Sequence, residues 1–197
     1  MKTFLSVVAF VTLISCASTN GVSVLERADH LSSAPSWASI TNGAPVIEGK
    51  LTFLGYVEVD ADASKSATAN MADEKARTEP FRALVDQYLE QNQLSEDLRK
   101  DSSISQRIIS STRGYLPPLP SMAVTKRYWE VVRTERKDGS AREELRFYSL
   151  AEVSKNDFEN AKKVYFQRLN GNKETKAILN DVGAKQRDAV LNTKQGE

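Results

Sequence analysis

The chain has 197 residues, with 27 basic and 26 acidic side chains. So even a balance gives no electrostatic reason to seek nucleic acid. One histidine and one cysteine exclude a histidine-rich metal site and a disulfide framework.

Lys2 precedes an almost wholly apolar run over residues 4–14, and Leu13-Ile14-Ser15 leads into Cys16. A basic start, a short apolar run and a small residue form the layout of a secretory signal. The run falls well short of the roughly 20 residues a membrane-spanning helix needs. Leu-x-small-Cys resembles the bacterial lipoprotein box, in which the cysteine is lipidated and the chain is cut just before it. The resemblance implies a mature chain that starts at Cys16 and is anchored by acyl chains. Ala17, where an aspartate would retain the protein, implies onward export to the outer membrane. Loss of residues 1–15 removes Lys2 and leaves 26 basic against 26 acidic residues.

Residues 16–35 are rich in Ser, Thr, Asn and small side chains and read as a lipidated tether. His30 within it reads as a solvated side chain. A globular domain is expected over 36–170, opening at Pro35-Ser36-Trp37 with Trp37 as a packing anchor. Asn42-Gly43 and Pro45 mark a short linker. Leu51 to Val59 alternates as a strand, with Leu51, Phe53, Val57 and Val59 on one face. Gly55 on that face leaves room for another element to approach closely.

From Asp62 the spacing changes to helical, through Ala63, Ala67 and Met71, with Ala69, Ala72 and Ala76 adding a small-residue surface. Pro80 is expected to kink or restart the helix. Beyond it, Phe81, Leu84, Val85, Tyr88 and Leu89 form an amphipathic stripe. Residues 95–112 read as a further helix capped by Ser95 and ended by Gly114, weakened in the middle by Asp101-Ser102-Ser103. Leu116 to Pro120 is an extended connector.

Residues 126–136 and 142–153 read as two strands joined around Asp138-Gly139, a hairpin signal. Charged residues near the turn, from Arg133 to Glu144, suit a tip that projects into water. Ser154, with Asp157 three positions on, matches a capping box. The helix that follows carries Phe158, Ala161, Val164, Tyr165 and Leu169 and stops at Asn170-Gly171. Residues 171–197 read as a polar C-terminal extension with one apolar patch at Ile178, Leu179 and Val182.

The usual catalytic equipment is missing. No serine sits in a Gly-x-Ser-x-Gly elbow, and Gly49-Lys50 follows no glycine-rich phosphate loop. Asp60-Ala61-Asp62 is a tight acidic pair that suits a hard cation or, more simply, the positive end of a helix. The aromatics Phe53, Tyr56, Trp129, Phe147, Tyr148, Phe158 and Tyr165 all fall at core spacing, whereas Tyr115 is less constrained. No catalytic residue, metal ligand or cofactor is expected.

The succession of Cys16, Trp37, Gly55-Tyr56-Val57-Glu58-Val59, Ala72-Asp73-Glu74-Lys75-Ala76-Arg77, Arg127-Tyr128-Trp129-Glu130 and Phe147 to Lys155 resembles the LPP-twenty family of bacterial envelope lipoproteins, relatives of the flagellar FlgP proteins. The resemblance covers about residues 35–169. It implies an α+β domain: a small antiparallel sheet of about three strands, packed by one long helix and a C-terminal helix. It implies a non-enzymatic outer-membrane lipoprotein that acts by protein–protein contact or self-association. The alternative is a periplasmic module that binds a small molecule or cell-wall fragment between the sheet and the helix near Pro80.

Overall fold

A computed structural model describes residues 21–39, 45–47, 49–112, 114–135 and 139–195, with side chains described as far as residue 187. The signal, Cys16, Asn42-Gly43 and Arg136-Lys137-Asp138 lie outside the described residues. Among the described residues the fold is α+β, with one antiparallel sheet in the order β1-β4-β5-β3-β2 and five α-helices.

The sheet is larger than expected. Its three long strands are the anticipated ones: β3 (Lys50–Asp60), β4 (Ala123–Glu135) and β5 (Ala141–Ser154). The additions are edges. β2 (Val46–Ile47) pairs with the first two residues of β3. β1 (Val22–Arg27) lies inside the segment expected to be tether and pairs with β4 across a bulge between Val24 and Glu26. Five of its six residues are exposed, so no buried alternation marked it. Its strand conformation comes from hydrogen bonding to β4.

Helix α1 (Lys65–Gln91) starts at Ser64, whose hydroxyl accepts from the Ala67 N–H. It crosses the face formed by Phe53, Gly55 and Val57, and the crossing depends on Gly55. A Cβ placed there would overlap the Ala72 carbonyl and the Ala76 amide and lie 2.9 Å from the Ala76 Cβ. The buried ridge is Thr68, Ala72 and Ala76. Met71, expected on the packed stripe, is 49% exposed.

Pro80 does not divide this helix; α1 runs through it as one element. A mid-helix proline costs about 3 kcal/mol. Ala72 and Ala76 hold the helix to the sheet on one side of Pro80. On the other, Phe81, Leu84, Val85, Tyr88 and Leu89 are all buried, each contributing about 1.5–3 kcal/mol if fully transferred from water. Packing on both sides therefore outweighs the local penalty.

The expected helix at 95–112 is two: α2 (Glu96–Lys100) and α3 (Ser102–Ser111). The break falls at Asp101, whose carboxylate caps α3 by accepting from the Ser103 N–H at 2.8 Å. Ser95 makes no side-chain cap. α4 (Lys155–Gly171) begins at Ser154, which accepts from the Asp157 N–H at 3.1 Å. The Ser154 N–H does not donate to Asp157 as in a full capping box. Asp157 accepts from Ser121 N–H, while Ser121 Oγ accepts from Ser154 N–H. The proline connector is thereby pinned to the start of α4.

The C-terminal stretch is not an extension of the domain but its fifth helix, α5 (Lys173–Gln195). Asn172 accepts from the N–H groups of Glu174 and Thr175 and donates to the Ser111 carbonyl at 2.6 Å. Ser111 and Thr175 share a buried hydroxyl bond at 2.7 Å. Ile178 and Val182 complete the cluster formed by α1, α3 and α4. Lys173, Glu174, Lys176, Asn180, Asp181 and Lys185 of α5 are exposed, which is why composition alone hid its docking.

Two glycine substitutions test the crossing. Gly55→Ala is expected to lower unfolding free energy by about 3 kcal/mol or more, because backbone and not a flexible side chain blocks the new methyl. Gly171→Ala, where nothing lies within 4 Å, is expected to be neutral or stabilising by up to about 1 kcal/mol. Urea denaturation of the two variants checks the contrast.

Candidate functional site

The aromatics expected at core positions divide between the two faces of the sheet. Phe53, Phe147, Phe158 and Tyr165 are buried. Trp129 lies on the α1 face beneath the Lys65 ammonium, 3.4 Å from the ring centre. Tyr56 and Tyr148 lie on the opposite face, and Tyr56 is 37% exposed. Tyr115 packs under the Arg168 guanidinium. Asp60 pairs with Arg142 at 2.9 Å, and among the described residues no cluster of ligands could hold a metal ion.

The register aligns Tyr56, Tyr148 and Tyr128 across β3, β5 and β4, with ring centres 5.1 and 5.6 Å apart. The next row is Glu58, Arg146, Glu130 and Arg27, alternating in sign across four strands. Tyr56 donates to Glu58, and Tyr128 donates to Glu130 at 2.8 Å. Arg146 binds Glu58 at 2.9 Å, and Arg27 approaches Glu130 at 3.7 Å. Burial, then the neighbouring glutamate, pushes the Tyr128 and Tyr148 hydroxyls up to about 12, and Tyr56 moves the same way. The Glu58 carboxyl is held below its ordinary value, first by the Tyr56 hydroxyl. These tyrosines stay protonated and act as donors. The network organises the sheet face.

On the α1 face, Ser149 is fully buried and donates to Asp73 at 2.7 Å. Arg127 grips the same carboxylate at 2.6 Å. That guanidinium is the main cause of a pKa held below the usual aspartate range. The trio clips α1 to β4 and β5.

A groove of about 860 Å³ lies beside β3. Sequence alternation did not reveal it, because α1 outruns the sheet and leaves the space behind. One wall is β3 itself with Tyr148, and Ala38 closes it on the tyrosine side. The second wall is α1 around Pro80, with Lys75, Glu79, Arg82 and Asp86. The third is Arg99, Lys100, Ser102 and Ser105 from α2 and α3. Four cations thus face two acids. Arg82 pairs with Glu79, and Arg99 with Asp86 and Glu90. Lys100 pairs with Glu96, outside the groove.

Past Thr52, the outward edge of β3 pairs with no strand among the described residues. Thr52 N–H donates outward to the Pro45 carbonyl at 3.0 Å, while Ala61 N–H donates inward to Glu143. Even-numbered residues of β3 therefore present their backbone groups to the groove side. β2 covers only Lys50 and Leu51. Past Thr52, the outward groups of Leu54, Tyr56 and Glu58 meet one partner among the described residues: Lys75 Nζ, which donates to the Tyr56 carbonyl at 3.0 Å.

The Asp73 clip carries a pH signature. A carboxyl depressed in the fold contributes its full stabilisation above the unfolded value, near 3.9. That contribution is lost as pH falls through the lower folded value. Asp73→Asn is expected to flatten the fall in stability between about pH 5 and 2 relative to the parent, measured by urea midpoints across that range. Comparison of the chain with protein-family models, curated proteins and solved structures finds no match.

Proposed function

We propose that this chain is a non-enzymatic lipoprotein of the bacterial outer membrane, anchored at Cys16, whose folded domain works by protein–protein contact in envelope assembly. The observation that supports the contact role is a groove of about 860 Å³ beside the β3 edge, which past Thr52 pairs with no strand among the described residues. An unpaired edge is a ready template for another chain, and ordinary proteins cover or blunt it. The anchor rests on the Leu13-Ile14-Ser15-Cys16 box. Two or more acyl chains would hold the protein stably, at about 0.8 kcal/mol per buried methylene. Because β1 begins at Val22, five residues separate it from Cys16, a reach of at most about 20 Å. The sheet would be carried close to the bilayer on a tether shorter than the composition of residues 16–35 implies.

A second reading has its own support. The groove lies where a small-molecule module would place it, between the sheet and the helix near Pro80, and Phe53, Tyr56 and Tyr148 line it beside several cations. Aromatic walls with a few convergent polar groups suit a compact ligand.

Two measurements test the proposal. Cys16→Ser is expected to move the protein out of the membrane fraction and abolish incorporation of labelled fatty acid; retention of both would remove the anchor. A photo-crosslinking residue at Tyr56 is expected to capture a protein in intact cells, while one at the exposed Met71 captures far less. Equal capture at both sites, or none at Tyr56, would remove the contact role and leave the small-ligand reading.

A further inference from the structure

We propose that the domain stands on the bilayer by the hairpin end of its sheet, with Val22, Val24 and Leu25 of β1 resting in the lipid interface. The inference rests on the Cys16 anchor proposed above. It adds which surface meets the membrane and how the domain is turned on it.

The direction of β1 decides which end is held. β1 runs antiparallel to β4, and its first residues face the last of that strand. Val22 pairs with Thr134, and the Gly21 carbonyl accepts from the Glu135 N–H at 2.8 Å. The chain therefore enters the fold beside the β4–β5 turn. Gly21 follows Cys16 by five positions, a reach of at most about 18 Å. The opposite end of the sheet is far away. β5 has 14 residues, which sets the start of α4 roughly 40 Å from the turn. α4 and α5 follow at that distant end.

The surface at the held end suits a lipid interface. Val22, Val24 and Leu25 are 40%, 39% and 52% exposed. Val22 and Val24 share one face of β1. The first four residues of the strand carry no charge, whereas Glu26 and Arg27, farther from the turn, pair with Lys65 and Glu130. An edge strand that meets only water is ordinarily blunted by charge. Apolar side chains set beside an acyl anchor gain instead from entering the boundary between headgroups and acyl chains.

Charge is not the attraction. From Arg133 to Glu144, four basic and four acidic residues balance. Arg133 pairs with Glu143 and Arg142 with Asp60. The contact is thus expected to persist in high salt, which screens exposed charges. In the sheet order β1 and β3 are three strand spacings apart, or about 14 Å, so the contact does not cover the groove.

The full chain, expressed with its signal and purified from membranes, is reconstituted in phosphatidylcholine vesicles at less than one chain per vesicle. Acylation consumes the Cys16 thiol, so Leu25→Cys and Val164→Cys each supply one site for an environment-sensitive dye. Val164 is 46% exposed on α4, at the distant end. Expected is blue-shifted emission at position 25. Lipids spin-labelled near the headgroup are expected to quench about threefold more strongly there than at 164. Val22→Thr with Val24→Thr keeps the β-branched shape that suits a strand. It is expected to halve that quenching with far-UV circular dichroism unchanged, and molar salt is expected to leave the quenching as it was.

Water-like emission at 25, equal quenching at 25 and 164, full quenching in the threonine variant, or loss of the contact in salt overturns the inference. So does a blue shift that develops only when several chains share a vesicle, since a second copy is then the occupant. Any of these in an acylated protein leaves the anchor standing. A parent chain that takes up the dye at Cys16 carries no lipid, and that result removes the anchor together with this contact.

Discussion

The contact between Gly55 and the backbone of α1 is the constraint on which the rest depends. Helix and sheet meet there with no side chain between them on the strand. Ordinary helix–sheet contacts are spaced by side-chain layers, whereas this one is closed by a missing Cβ on one element and two alanines on the other. Once α1 is seated so closely, Asp73 falls within reach of Arg127 and Ser149, and Lys65 falls over Trp129. Lys75 likewise falls on the strand edge. Three separate polar contacts are consequences of one steric permission.

The same seating creates the groove. A helix of 27 residues is longer than the sheet is wide, so its second half passes beyond β3 and needs another surface to bury Phe81, Leu84, Val85, Tyr88 and Leu89. α3, α4 and α5 supply that surface, and Asn172 ties α5 to the end of α3. Between the sheet-bound half of α1 and the helical cluster, the β3 edge past Thr52 meets no further strand among the described residues. A polar, ion-paired rim then lines a space that neither core fills.

On the far face of the sheet the same strands carry a different chemistry. The alternating row Glu58, Arg146, Glu130 and Arg27 gives its inner members, Arg146 and Glu130, an opposite charge on either side. Tyrosine hydroxyls take up remaining acceptor capacity on the glutamates. Pairing of this sort lets Glu130 and Glu144 sit nearly buried without the cost of an isolated charge. Tyr56 belongs both to this network and to the groove, so the groove wall is held in place from behind.

Alternation in residues 51–59 and 142–153, the turn at Gly139 and the Ser154 cap were enough to read β3, β4, β5 and the start of α4, because each rests on local periodicity or a local hydrogen bond. Gly55 was legible as a place of close approach for the same reason: the absence of a side chain is a local fact. β1, the continuity of α1 through Pro80 and the docking of α5 were not, since a half-exposed edge, a penalised proline and a mostly polar helix each oppose the local signal and are held by partners distant in the chain. The candidate site falls in the second class. Its tyrosines and cations stand in the sequence without spacing that unites them. Only the path of α1 across and beyond the sheet brings Tyr56, Lys75, Arg82 and Arg99 to one groove, because a helix that closes against a glycine cannot also cover the edge of the strand that carries it.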